Sequence, residues 1–328
     1  MKKLRILSTM ILSLIASQFI SAQDFGDLIK GSAADANYLI KGYTTPAIKT
    51  FASGLSQGWY NTADTHKFFG ADLTISIAMI GAPSSDKKFT VDNSKLTTIQ
   101  LDGTSAGKGT IPTFFGSSKN TGQTLSLKSD PSSTTPVPSG VDIPISRIPM
   151  PVVHLGFSIP KGTDIKVRFI PTLDLGGSGK LGLFGVAVQH DIKQWLPGVK
   201  ELPFSLSALV GYTKFSSEVE LDDTNKANVG SFDVSSTTIQ VLISKKITVL
   251  TFYGGVGYDI AKGGLKVKGT YDLGNSQTVT DPINFTSTAN APRLTAGMRL
   301  KLGPITFHGD YTVKEYSAIT AGFGISVR

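Results

Sequence analysis

The chain has 328 residues, a formal net charge of +8 at neutral pH and no cysteine. The lack of cysteine excludes disulfides, thiolate catalysis and thiolate metal sites. Charged residues make up only 17% of the sequence, and no stripe of Lys and Arg alternates with stacking aromatics. We therefore expect no nucleic acid among its partners.

The N-terminus has the form of a secretory signal peptide. Lys2, Lys3 and Arg5 precede an apolar run at residues 6–20, and Ser21-Ala22-Gln23 offers a small-residue cleavage site. We predict cleavage after Ala22, which lowers the net charge from +8 to +5. No later stretch of about 18 apolar residues occurs, so the sequence predicts no transmembrane helix.

Residues 23–69 differ from the rest of the chain and predict a helical segment. Ser32 is a suitable cap for a helix over Ala33–Gly42, which Thr44-Thr45-Pro46 would interrupt. A second short amphipathic stretch follows at Ala47–Leu55. Ahead of a β-barrel, such a segment fits either a plug in the lumen or a mobile periplasmic tail.

The strongest signal is an alternation of apolar and polar residues with a period of two. It is clearest at residues 293–302, 305–313 and 319–327. A tilted membrane-spanning β-strand needs about 9–11 residues, whereas soluble strands have about 5–6. With a secretory leader and no apolar helix, the pattern predicts an all-β fold, an antiparallel transmembrane β-barrel over residues 70–328.

Seven earlier strands complete this barrel: Gly70–Ala82, Val152–Ile159, Asp164–Ile170, Leu181–Ile192, Phe204–Phe215, Val234–Ser244 and Val249–Ile260. Bacterial barrels have short periplasmic turns and long outer loops. This assignment of strands accordingly predicts long outer loops at about residues 83–149, 216–232 and 261–292. Weak additional strands at Lys95–Leu101, Gln123–Lys128 and Leu265–Tyr271 extend the predicted number from about 10 to about 14.

Charged residues on the polar faces of these strands are candidates for lining the lumen. They are Lys166, Arg168, Arg293, Arg299, Lys301, His308 and Asp310. The alternative is that they pair with one another across the interior of a narrow, filled barrel. Trp195, Tyr212 and Tyr311 are candidates for the aromatic belt at the membrane interface.

Nothing in the sequence predicts a metal, a cofactor or a catalytic residue. The histidines His66, His154, His190 and His308 have no metal-ligand spacing. Residues 254–257 are glycine-rich but lie inside a predicted strand, where glycine allows close approach or makes room in the lumen. We expect no enzyme; a barrel lipid hydrolase is the third functional hypothesis.

Several uncommon strings occur along the chain: Gly54-Leu55-Ser56-Gln57-Gly58-Trp59-Tyr60-Asn61-Thr62-Ala63, His66-Lys67, Asp72-Leu73-Thr74, residues 159–171, and His190-Asp191-Ile192-Lys193-Gln194-Trp195-Leu196-Pro197-Gly198. They resemble an uncharacterised outer-membrane β-barrel family of Bacteroidota. The resemblance implies a secreted barrel and no particular activity. A helical leader before a barrel is also similar in architecture to the long-chain fatty-acid transporter family, whose N-terminal segment plugs the lumen.

These observations predict a protein of the cell outer membrane. The leading functional hypothesis is passage or uptake of small molecules, including hydrophobic ones, gated by residues 24–60 and the loop at 83–149. The alternative is a closed structural or surface-interaction barrel without transport. About eight to ten strands favour the closed barrel and fourteen or more a channel. The expected partners are outer-membrane lipid, the barrel-assembly machinery and a small hydrophobic ligand.

Overall fold

The computed structural model describes residues 32–119, 122–141, 147–174, 179–221, 227–272 and 278–327. The predicted signal peptide lies outside these residues. The chain divides into two compact units: unit 1 within residues 1–44, 85–142 and 269–283, and unit 2 within residues 45–84, 143–268 and 284–328.

No helix within the described ranges is both long enough and apolar enough to cross a membrane.

Within the described residues, unit 2 contains a closed antiparallel β-barrel of ten strands, which confirms the predicted fold class, and a short additional strand, Ile283–Thr288, is hydrogen-bonded to the barrel strand Leu250–Lys268. The strands are β1 Ala71–Gly81, β2 Arg147–Ile159, β3 Thr163–Asp174, β4 Lys180–Asp191, β5 Ser205–Glu220, β6 Val229–Ile247, β7 Leu250–Lys268, β8 Ala291–Leu302, β9 Ile305–Val313 and β10 Ala318–Val327. Each strand pairs with the next in sequence. The barrel closes between β1 and β10, where Leu73 lies opposite Ile325.

The two faces of the barrel wall differ as the alternation predicts. In β10, Thr320 and Ser326 are buried inside, whereas Ile319, Phe323 and Ile325 remain about half exposed on the outside. The same pattern recurs around the barrel, so the outer surface is a band of large apolar side chains. Such a band is far larger than the apolar patches of soluble monomers and fits a lipid environment.

Consecutive antiparallel strands leave two different rims. The connections after even-numbered strands, which define the tight-turn rim, are residues 160–162, 192–204, 248–249 and 303–304. Lys161, Gly162, Thr248 and Gly303 have positive φ angles there, as sharp turns require. The connections after odd-numbered strands open at the opposite rim.

Several strands extend farther than predicted, so the loops at 216–232 and 261–292 are shorter. Residues 216–220 of β5 pair with residues 229–233 of β6, and β7 runs to Lys268. The candidate at Leu265–Tyr271 therefore lengthens the wall, through Lys268, instead of adding a strand. The sequence did not predict these strand extensions, because they consist mainly of polar residues. Strands pair through backbone hydrogen bonds, which beyond the apolar band need no apolar side chains.

Unit 1 contains the two strand candidates of the predicted loop 83–149, but as small separate sheets instead of barrel strands. Lys88–Asp92 pairs with Lys108–Pro112, Thr124–Leu127 pairs with Ile99–Leu101 and Asp130–Pro136, and Thr270–Asp272 pairs with Thr278–Thr280. The upper prediction of about 14 barrel strands was therefore wrong. The loop is a folded insertion between β1 and β2.

The helix α1 runs without interruption from Ala33 to Leu55, so the predicted break at Thr44-Thr45-Pro46 was wrong. The side chain of Ser32 caps its start, accepting the backbone N–H of Asp35 at 3.2 Å, as predicted. Pro46 removes one helix hydrogen bond. Packing overrides this loss: buried apolar residues follow both before and after Pro46 at helical spacing, including Leu39, Ile40, Ile48 and Ala52.

Candidate functional site: the barrel lumen

The lumen of the barrel is occupied by the chain itself. We define the plug segment as residues 45–66, which comprise the last turns of α1 and the extended stretch after it. Trp59 is 1% exposed, and Tyr60 is also buried. The plug segment contacts inward-facing side chains of β3 to β8, so its backbone and side chains take the place of a water-filled channel.

Two cations of β3 hold the middle of the plug segment. Arg168 donates to the carbonyls of Leu55 at 3.0 Å and Gln57 at 2.5 Å. Its guanidinium also lies 3.5 Å from the centroid of the Trp59 ring. Lys166, two residues earlier, donates to the Trp59 carbonyl at 2.8 Å. The exposed carbonyls at the C-terminal end of a helix carry partial negative charge, which favours cations there.

A second group of charges binds the same helix end from β7, β8 and the loop after β9. Lys314 donates to the Ser53 carbonyl at 3.0 Å and to Asp259 at 2.8 Å. Arg293 donates to the Ser56 carbonyl at 3.1 Å and lies 3.3 Å from Asp259. Burial lowers the pKa of Lys314 to about 8, although Asp259 opposes this shift. Asp259 and the carbonyls of the helix end together offset part of the cost of burying these two cations.

Glycines in the wall make space for the plug aromatics. A Cβ on Gly211 would lie 2.9 Å from Nε1 of Trp59, and one on Gly185 would lie 3.3 Å from the same ring. A Cβ on Gly255 would overlap the hydroxyl of Tyr60, which donates to a side chain of β6. Gly255 thus makes room in the lumen, whereas Gly257 allows close approach of β6, since a Cβ there would overlap a backbone carbonyl oxygen of that strand. Both roles were predicted for the glycine-rich stretch at 254–257.

The plug segment ends at His66, which is fixed near the tight-turn rim. Its Nδ1 lies 2.8 Å from Oδ2 of Asp164, and its Nε2 lies 3.1 Å from Oγ of Ser326. The Ser158 hydroxyl donates to the His66 carbonyl at 2.8 Å. A further carboxylate, Asp72, lies 3.9 Å from Nε2. These bonds determine where the chain leaves the lumen and enters β1.

The structure places the predicted lumen residues on the inner side of the wall. Buried there are Lys166, Arg168, Arg293, Arg299 and His308, and partly buried are Lys301 and Asp310. Asp310 accepts the Tyr253 hydroxyl at 2.9 Å. These side chains do not form one cluster, since Arg168 and Arg293 bind the helix end while Lys301 lies near the tight-turn rim.

Sequence reasoning missed half of this arrangement. The missed lumen residues are His66, Asp72, His154, Asp164, Asp259 and Lys314. Asp259 falls in the polar phase of β7 and could have been found from that alternation. Lys314 lies one residue beyond the end of β9, where a strand pattern gives no signal.

The predicted interface aromatics lie on the outer surface. Trp195 is 61% exposed at the tight-turn rim, and its indole N–H donates to His190 at 2.8 Å. Tyr212 and Tyr311 face outward from β5 and β9. The sequence analysis missed Phe68 and Phe69, two exposed and mutually packed rings immediately before β1.

A closed, even-numbered barrel with an apolar outer band and a polar interior has the fold of the bacterial outer-membrane β-barrels. The chain belongs to the family of unknown function DUF6588, whose sequence model matches residues 1–327. This membership agrees with the resemblance found in the sequence, and the family carries no assigned activity.

Among solved structures, the chain is similar to Ail, the attachment invasion locus protein of Yersinia pestis, with 7% identity and a TM-score of 0.30 over 80% of this chain and 100% of that one. It is similar to the outer membrane protease OmpT of Escherichia coli, with 9% identity and a TM-score of 0.30 over 81% of this chain and 100% of that one. It is also similar to the toluene transporter TodX of Pseudomonas putida, with 8% identity and a TM-score of 0.24 over 78% of this chain and 68% of that one. No curated protein matches the sequence. Similarities this low assign no function.

Proposed function

We propose that the protein is an outer-membrane β-barrel that is closed in its resting state and acts through a module displayed at the cell surface. The observation that supports closure is the plug segment. Trp59 and Tyr60 fill the lumen, and wall cations bind the carbonyls beside them. A ten-stranded barrel also has an interior small enough to be filled in this way, unlike the porins with about 16–18 strands.

The alternative is the passage or uptake of small molecules, including hydrophobic ones, which requires the plug segment to leave the lumen. Single-channel recording in planar bilayers separates the two. We expect no conductance from the intact protein. Conductance steps from the intact protein contradict closure. Steps that appear only after the double substitution Trp59→Ala and Tyr60→Ala would show that these two side chains block the lumen, as closure requires.

The surface part of the proposal rests on chain connectivity. The insertions at 85–142 and 269–283 follow β1 and β7, and outer-membrane barrels carry their long connections on the outer side. Because the native chain has no cysteine, single cysteines give clean labels. We expect Lys119→Cys to react with an impermeant maleimide on intact cells and Lys200→Cys to react only after permeabilisation. The reverse result would invert the proposed orientation.

Secretion belongs to the same proposal. A leader at residues 1–22 would direct the chain across the inner membrane, and N-terminal sequencing of the mature protein should begin at Gln23. The proposed Bacteroidota origin and the likeness to the long-chain fatty-acid transporters rest on the sequence alone. Of the two, the transporter likeness bears on mechanism, since it concerns an N-terminal plug.

One arrangement favours a second candidate function, the hydrolysis of an acyl ester at the tight-turn rim. Ser326 Oγ, His66 and Asp164 stand in the order hydroxyl, imidazole, carboxylate, at 3.1 Å and 2.8 Å. Serine hydrolases activate their nucleophile through this order. Lys301 also donates to Ser326 Oγ at 3.1 Å, which would stabilise an alkoxide.

A fluorophosphonate probe tests this candidate. If Ser326 is a nucleophile, the probe labels the wild-type protein, and Ser326→Ala abolishes the label. Ser205→Ala is the matched control, because Ser205 lines the same cavity. The probe should still label the Ser205→Ala variant. An unlabelled wild-type protein would eliminate hydrolysis and leave His66 as an anchor of the plug segment.

A further inference from the structure

A polar cavity of about 90 Å³ lies inside the barrel at the tight-turn rim, beside the end of the plug segment. Its lining includes the cations Lys246, Arg299 and Lys301 and the hydroxyls of Ser244, Thr251 and Ser326. A single water needs roughly 10–15 Å³ of such space. The cavity therefore has room for several waters or for one small polar ligand.

Arg299 is the unusual residue of this lining. It is 8% exposed, and its Nε has no hydrogen-bond partner, as is also true of the Nε atoms of Arg168 and Arg293. The difference lies in the terminal nitrogens: those of Arg168 and Arg293 donate to carbonyls at the helix end, whereas no such bond holds Arg299 among the described residues. A buried guanidinium with an unused donor is costly unless something accepts from it.

The charge of the lining favours an anion. Three cationic side chains and one carboxylate, that of Asp64, line the cavity. A second carboxylate, Asp72, is buried outside the lining and attracts Arg299 and Lys301. The His66 ring, which also reaches the cavity, is engaged by Asp164 and Ser326. Positive charge therefore exceeds negative charge among the lining residues, and hydroxyl donors surround the cavity.

We propose that this cavity is a binding site for a compact oxyanion, with Arg299 as the principal donor and Lys301 and Lys246 as supporting charges. An arginine fork pairs with two oxygens of a phosphate or a carboxylate, and serine and threonine hydroxyls complete such a shell. The small volume excludes larger anions except where only a terminal group enters. In the orientation proposed above, the ligand comes from the periplasmic side. The site rests on the closed barrel of the proposed function, because residues 62 and 64–66 of the plug segment line it. Anion binding and conductance are separate measurements, so the failure of one proposal is distinguishable from the failure of the other.

Isothermal titration calorimetry with the full mature protein in a sugar-based detergent tests the proposal. We expect saturable binding of inorganic phosphate or acetate that weakens with salt. Arg299→Gln should weaken it at least about tenfold, the effect expected for loss of a charged hydrogen-bond donor. Lys245→Gln removes the same charge one residue from Lys246, on the outward-facing side of β6, and should change the affinity less than about twofold.

Phosphoethanolamine, a soluble lipid headgroup, distinguishes the source of the ligand. Binding of phosphate or acetate without binding of phosphoethanolamine supports a free anion, whereas binding of all three also supports a headgroup. If Arg299→Gln does not give the heat-modifiable migration of a folded barrel, Lys301→Gln replaces it, with a several-fold loss expected. Absence of binding by the wild-type protein, or equal binding by the variant and the wild type, overturns the proposal.

Discussion

The guanidinium of Arg168 lies 3.5 Å from the centroid of the Trp59 ring while it donates to the carbonyls of Leu55 and Gln57. One side chain of the wall thus binds the helix end and covers the largest aromatic of the plug segment. Because Arg168 is buried, these contacts are made away from water, where each is stronger than at a surface.

Replacing this side chain should loosen the plug segment. We expect Arg168→Met to lower the free energy of unfolding by about 3 kcal/mol, since carbonyls lose charged donors and the cation–π contact is lost. Urea unfolding in detergent micelles measures the change. Lys200→Met, at an exposed turn, is the control and should leave the midpoint unchanged. An unaltered midpoint for Arg168→Met would show that Arg168 does not hold the plug segment.

A methyl group on Gly211 should displace the indole of Trp59. The new Cβ would lie 2.9 Å from Trp59 Nε1, closer than packing allows, and overpacking typically costs about 1–3 kcal/mol. In a Trp195→Phe background, Trp59 is the remaining tryptophan, and acrylamide quenching should increase in Gly211→Ala. Gly309→Ala is the matched control, with its new Cβ 3.7 Å from the nearest atom. Equal quenching in both variants would argue against a close Gly211–Trp59 contact.

The two tryptophans should report different environments. Trp59 is 1% exposed inside the barrel, whereas Trp195 is 61% exposed on its outer surface. In bilayers with lipids brominated near the headgroup, we expect strong quenching of the Trp59→Phe variant, which retains Trp195. The Trp195→Phe variant should be quenched little. Strong quenching of Trp59 would place it against lipid and contradict a plug inside the barrel.

The stability of unit 1 should vary with pH through the ionisation of Asp35. Burial acts to raise the pKa of this carboxyl, but hydrogen bonds from Thr97, Thr98 and Ile99 outweigh it and hold the pKa below its usual value. A carboxyl whose pKa is lower in the folded state stabilises the fold fully above its unfolded pKa of about 3.9. That stability is lost as the pH falls through the folded pKa.

Hydrogen exchange measures this effect at the amides of Thr97, Thr98 and Ile99. Their protection, corrected for intrinsic rates, should be high at neutral pH and fall in acid. Asp35→Asn should reduce protection at neutral pH at least about tenfold and remove most of the acid dependence. Asp130→Asn, at an exposed position, should leave these amides unchanged. Unchanged protection in Asp35→Asn would refute this role.

Part of the candidate site followed from local pattern. Arg168 and Arg293 were recognisable because each occupies the polar phase of a two-faced strand. Their partners were not recognisable, because Leu55 and Ser56 offer backbone carbonyls, which carry no sequence signal. His66 and Ser326 are separated by most of the chain and meet only because β1 pairs with β10.

The sequence by itself determined that this protein builds a two-faced β-wall, since strand alternation is a local property with a period of two. It also determined that glycines at 254–257 lie in a strand and that Ser32 caps a helix. Only the tertiary structure decided that ten strands close the barrel, that α1 continues through Pro46 and that the plug segment fills the lumen. These features depend on contacts between distant residues, whose packing energy outweighs local preferences such as that of proline against a helix.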